Sequence, residues 1–116
     1  MSIRIGHAGL GYWGPNLARN FGELADLRWI CDLAPDLLAD QAARYPGART
    51  TCDFEDLLSD PELDAVTIAT PVVTHYELAK RALQAGKHVF VEKPPAQSST
   101  EAEELLALAE ERGLVF

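Results

Sequence analysis

The sequence predicts an α/β fold, a doubly wound and mostly parallel sheet in three αβα layers, and three observations predict it. Short β-branched and apolar runs alternate with helix-like segments from end to end. A glycine cluster, "GHAGLGYWGPN" (6–16), stands between the first strand and the first helix. The second strand closes on an acid, Asp32, eighteen residues past Gly14.

Taken in order, "IRIGHAG" (3–9) reads as a strand that leads into the glycines. Residues 14–22 form a helix, with Pro15 in its first turn and Leu17, Ala18 and Phe21 on one face. "LRWICD" (27–32) is a strand, and 35–45 is a helix opened by Pro35 and stopped by Pro46–Gly47. Residues 48–51 make a short strand, and 53–60 a short helix with Asp53 as N-cap. "DAVTIAT" (64–70) is a buried strand. The helix over 74–86 opens with a capping box, Thr74 and Glu77, carries a Glu77–Arg81 pair and ends on Gly86. "HVFVEK" (88–93) is a further strand. The last helix, 100–112, has a capping box of Thr100 and Glu103, an apolar stripe of Ala102, Leu105, Leu106 and Ala109, and Gly113 at its end. "LVF" (114–116) starts one more strand, which the sequence leaves incomplete.

At 116 residues the chain is one domain by length, 1–116, with 47% apolar and 24% charged residues. Its net charge of −8 disfavours nucleic acid, which is held through a basic face. A phosphate ligand must therefore be held by local backbone dipoles. Cys31 and Cys52 form neither a CxxC pair nor a metal-ligand spacing, so they read as half-buried thiols and no metal is expected. No signal peptide and no bilayer-length apolar run is visible, and the expected location is the cytoplasm.

Gly9, Gly11 and Gly14 spell G-x-G-x-x-G in the strand-to-helix context that gives this common pattern meaning. Gly9 permits a tight turn, Gly11 lets a pyrophosphate approach the backbone, and Gly14 lets the helix pack closely. The helix N-terminus favours an anion by about 0.3–1 kcal/mol. Asp32 would accept the adenosine ribose hydroxyls and repel a 2′-phosphate. Two unit charges 4 Å apart at an effective dielectric near 20 cost about 4 kcal/mol, so NAD is preferred over NADP. Tyr12 and Trp13 read equally as packing residues and as cofactor contacts. His7 reads as a hydrogen-bonded core histidine.

Two further stretches, "ATPVVTHYE" and "VEKPPA", fall where strands end, and ligands of open parallel sheets bind there. Thr70, Pro71, His75, Glu92, Lys93 and Pro94 are thus expected on the edge that carries the glycine loop.

With "GLGYWGPNLARNF", "ATPVVTHYELAKRALQAGKHVFVEKP" and Asp32, nearly the whole chain resembles the N-terminal domain of the glucose–fructose oxidoreductase/inositol dehydrogenase (Gfo/Idh/MocA) family. The "GYWGPN" variant is similar to members that oxidise sugars or nucleotide sugars. The resemblance implies a Rossmann domain. Gly9, Gly11, Tyr12, Trp13 and Gly14 would contact the pyrophosphate, Asp32 the adenosine ribose, and Thr70, Pro71 and His75 the path to the nicotinamide ribose. Glu92 and Lys93 would lie near the nicotinamide, with Lys93 catalytic, because a cation stabilises a developing alkoxide.

The chain departs from the family pattern in Pro95, where an apolar residue is common, and in length. Family members run to roughly two or three times this size. Their second domain, absent from this chain, supplies substrate pocket, catalytic histidine and oligomer contacts. The leading expectation is therefore the NAD-binding half of a sugar or nucleotide-sugar dehydrogenase, without full turnover alone. Exposed apolar surface should make it self-associate or lower its stability. A stand-alone NAD-binding regulatory or redox-sensing module is the alternative. A methyltransferase or flavin domain ranks last, since neither explains Glu-Lys-Pro.

Overall fold

The structure, a computed structural model, describes residues 3–11 and 14–116. Five strands form one sheet in the order β3-β2-β1-β4-β5: β1 Arg4–Ala8, β2 Asp26–Cys31, β3 Arg49–Thr51, β4 Ala65–Ile68 and β5 His88–Val91. Every pairing is parallel. Sequence order reverses between β1 and β4, so the two halves of the sheet part there and leave a crevice at the strand ends.

A strand points successive side chains to opposite faces, and a register shift in β2 between Leu27 and Trp29 puts Leu27 on the face of Ile30, so β2 serves both cores. Ile30 joins Ile5, Leu27 and Leu38 beneath α1 (Gly14–Leu24) and α2 (Pro35–Arg44). Trp29 and Cys31 face the larger cluster, which holds Leu57, Ala79, Leu83 and Leu105. That cluster lies under α3 (Glu55–Leu58), α4 (His75–Gln84) and α5 (Ser99–Arg112). The three-layer, doubly wound arrangement is the one the alternation predicts.

Several local expectations are corrected. Thr74 is not part of a capping box. A 3₁₀ turn over Val72–Thr74 precedes α4, and the Thr74 hydroxyl donates to the Pro71 carbonyl at 2.6 Å. Arg81 pairs with Glu55 at 2.8 Å instead of Glu77, which ties α4 to α3. The last helix is capped by Ser98, two residues earlier than Thr100. Its Oγ accepts the Glu101 N–H at 3.2 Å, and Glu101 in turn accepts the Gln97 N–H. Leu106 leaves the expected stripe and is exposed. The two thiols are unequal, Cys31 buried and Cys52 exposed. Residues 114–116 form no strand, although the Val115 carbonyl accepts the Val89 N–H at 2.9 Å. Asp53 does accept the Glu55 N–H at the start of α3.

Candidate functional site: a cleft at the sheet switch point

A cleft of about 770 Å³ opens at the carboxyl ends of the strands. Gly9 and Gly11 line one side with Asp32, and Thr70, Pro71 and His75 line the other. Glu92 and Lys93 complete it. The structure thus brings together the two stretches that the sequence separates by some sixty residues.

The glycine loop is built by close approach. Gly9 has φ +103°, and a Cβ there would stand 2.5 Å from the Ala69 backbone of the neighbouring strand end. At Gly14 a Cβ would lie 2.0 Å from the Gly9 carbonyl oxygen, so α1 can enter against the loop only without a side chain. Gly14 is accordingly packed on the loop and does not line the cleft. Among the described residues, a Cβ on Gly11 would meet nothing within 4 Å. The loop backbone there is open to a ligand. The expectations for Tyr12 and Trp13 fall on residues outside those described.

Asp32 does more than the spacing suggests. Its Oδ2 accepts the Leu10 N–H at 2.7 Å and its Oδ1 the Ala34 N–H at 2.8 Å. The carboxylate therefore pins the glycine loop to the start of α2. Each oxygen keeps a lone-pair site for a ribose hydroxyl. Leu33, Leu37 and Phe54 supply an apolar wall beside it, which the sequence reading did not single out. The signal available was two leucines, Leu33 and Leu37, that follow the strand-final acid.

His7 lies under the loop with no solvent exposure. Burial pulls it from the ordinary 6.5 down to about 4, against the opposing pull of the Gly9 carbonyl and Asp32. The neutral ring donates from Nε2 to the Gly9 carbonyl at 2.7 Å and accepts the Thr67 hydroxyl at Nδ1, 2.6 Å away. His7 is the core histidine expected, and its work is to hold the turn.

Across the cleft, Thr70 Oγ1 meets Thr74 Oγ1 at 2.6 Å, which stitches the end of β4 to the 3₁₀ turn. His75 is 1% exposed, and both its ring nitrogens face backbone carbonyls. The ladder continues past β5 through the Glu92 N–H to the Ile68 carbonyl at 2.9 Å, which delivers Lys93 to the rim. Among the described residues no three His, Cys, Asp or Glu side chains gather as a metal site, and no helix is long and apolar enough to cross a membrane.

An open glycine backbone, a strand-final carboxylate with free lone pairs and an apolar wall fit a dinucleotide. Fold and cleft together define a dinucleotide-binding domain. Residues 3–116 match the oxidoreductase family with an NAD-binding Rossmann fold, GFO_IDH_MocA, and the chain belongs to that family. UDP-N-acetylglucosamine 3-dehydrogenase of Acidithiobacillus ferrooxidans is 35% identical over 98% of this chain and 36% of its own length. The NADP(+)-dependent scyllo-inositol 2-dehydrogenase of Bacillus subtilis is 29% identical over 99% of this chain and 32% of its own. The solved structure of GenD2 from gentamicin A biosynthesis, in complex with NAD, superimposes with a TM-score of 0.92 at 35% identity, over 98% of this chain and 33% of that one. The chain thus spans about a third of the length of these relatives. All three belong to biosynthetic or dehydrogenase chemistry by name, which leaves the sensor-module alternative without support.

Proposed function

We propose that this chain is the NAD-binding domain of an oxidoreductase that moves hydride between a sugar or nucleotide-sugar hydroxyl and a nicotinamide. The observation that carries the reading is that Gly11, Asp32 and Lys93 share one cleft at the switch point. Gly9 and Gly11 hold the pyrophosphate, with Tyr12, Trp13 and Gly14 as the rest of that loop. Asp32 holds the adenosine ribose, and Thr70, Pro71, His75 and Glu92 flank the nicotinamide end. The bound nicotinamide supplies the hydride acceptor. Lys93 places its ammonium where negative charge develops on the substrate oxygen and assists the proton's departure.

NAD is favoured over NADP because the Asp32 carboxylate stands where the ribose would lie, while Leu33 supplies no cation for a 2′-phosphate. The NADP(+)-dependent relative means that this preference rests on these residues and not on family membership. Substrate contacts come from a second domain, so the isolated chain binds cofactor with little turnover. Two free thiols suit a reducing cytoplasm.

Titration with NADH and NADPH, read by energy transfer from tryptophan and by calorimetry, tests the reading. Tight NADH with weak NADPH is expected. Equal affinity for the two overturns the role of Asp32, and robust sugar oxidation by this chain alone overturns the need for a second domain.

A further inference from the structure

Segment 93–96 carries Lys93 into the cleft, yet it is thinly held. Its Ala96 methyl is buried in the larger core. Among the described residues, one hydrogen bond ties this segment to the rest of the protein: His75 Nδ1 to the Pro94 carbonyl, 2.8 Å. The other ring nitrogen, Nε2, reaches the Thr70 carbonyl, also at 2.8 Å. Thr70 is where the chain leaves β4, and Pro94 is one residue past Lys93. His75 itself opens α4, a rigid helix whose Ala79, Ala82 and Leu83 are buried in the same core.

From this geometry we infer that His75 is a positioning residue for the nicotinamide half of the cleft. It clamps the loops after β4 and β5 at a fixed separation, and so sets where Lys93 stands. This rests on the reading that Lys93 serves the nicotinamide end. The ring is spent on two protein carbonyls, both of which only accept hydrogen bonds, so its polar atoms are engaged by the fold and not offered to the cofactor. The Thr70–Thr74 and Thr74–Pro71 bonds stitch the first loop only to itself. Among the described residues, beyond the Glu92 N–H to Ile68 carbonyl bond that ends the strand ladder, the imidazole is the hydrogen-bonding group that crosses to the second.

The hydrogen bonds that hold the glycine loop are separate from this clamp, since Asp32 and His7 make them. That separation makes the inference testable on the chain as it stands, with two probes. ADP occupies only the half held by Gly11 and Asp32, whereas NADH spans both. His75→Leu should weaken NADH about tenfold or more while ADP stays within about twofold. His75→Gln, whose amide offers two N–H donors, should recover part of the loss. A purely structural role predicts that NADH and ADP weaken together, and that result overturns the clamp. So does unchanged NADH affinity in both variants. Lys93→Met separates the two levels. If it leaves NADH binding untouched, or if the unaltered chain binds no NADH, the reading of Lys93 falls and the clamp's purpose falls with it. A Lys93 effect without a His75 effect overturns the clamp alone.

Discussion

Two buried histidines hold the two halves of one cleft, and they do it with different partners. His7 sits between a hydroxyl and a carbonyl, so a neutral ring satisfies both: one nitrogen accepts from Thr67 and the other donates to Gly9. His75 sits between two carbonyls, which only accept, so holding both at once takes a proton on each ring nitrogen. The first is a closed arrangement inside the sheet. The second bridges two loops, and its partners are the backbone carbonyls of Thr70 and Pro94. The glycine half is therefore expected to be the more rigid, and the Lys93 half the one that responds to what binds.

The largest effect should come from breaking the first arrangement. His7→Leu keeps the volume but strands the Gly9 carbonyl and the Thr67 hydroxyl, at about 1–3 kcal/mol for each buried group. Urea unfolding should show a loss of about 2–6 kcal/mol, a large share of a small domain's stability. A change below about 0.5 kcal/mol would show that the ring is not holding the turn.

Next comes pH. The folded ring titrates near 4 and the unfolded one near 6.5, so between those values the unfolded chain binds more protons. The contribution of neutral His7 is complete above about pH 6.5 and is lost as pH falls towards 4, by about 3 kcal/mol in all. His7→Gln should flatten that part of the stability profile. An unaltered profile would assign the slope to other groups. Asp60 and Asp64, both held below the usual carboxylate range chiefly by side-chain hydrogen bonds from Trp29 and Arg4, act at lower pH.

A smaller effect sharpens the comparison without touching either histidine. Asp32→Ser should raise NADPH affinity relative to NADH by about tenfold to a hundredfold, or about 1.4–2.7 kcal/mol. Both cofactors use the same loop, so their ratio is insensitive to loosening of that loop, and a constant ratio would remove Asp32 from specificity. The smallest effect lies outside the cleft. On the α1 side of β4 and β5, Phe21, Phe90, Val115 and Phe116 border an apolar hollow of about 450 Å³, with Phe90 50% exposed. Sedimentation should show weak self-association of this chain, reduced a few-fold by Phe90→Ser. A strictly monomeric chain at all concentrations would count against it.

Legibility followed the range of the forces involved. Strand and helix positions came within a few residues from periodicity, and Asp32 was found by its distance from the glycines. The capping boxes failed although the competing bonds are local, because the spacing fits several residues and does not say which of them is used. Thr74 is drawn into a turn by Pro71 and Thr70, and Ser98 takes the role assigned to Thr100. Arg81 likewise had a helical neighbour in Glu77 but chose Glu55 on another helix, because α3 and α4 pack side by side. His75 was placed on the correct edge, yet its engagement with two carbonyls could not be read from a linear pattern.

By itself, then, the sequence determined the alternation that makes a parallel sheet, the glycines without which the first turn would clash, and the acid at the end of β2. Each of these is legible from local geometry or short spacing, although the contact of Gly9 with Ala69 is itself tertiary. Only the tertiary structure decided which polar atoms meet inside. Asp32 could grip Leu10, and His75 could join Thr70 to Pro94, only once the strands had been paired and the two loops brought within 3 Å of the side chains that hold them. A hydrogen bond is satisfied by position and direction, and those were set by the packing of the whole sheet.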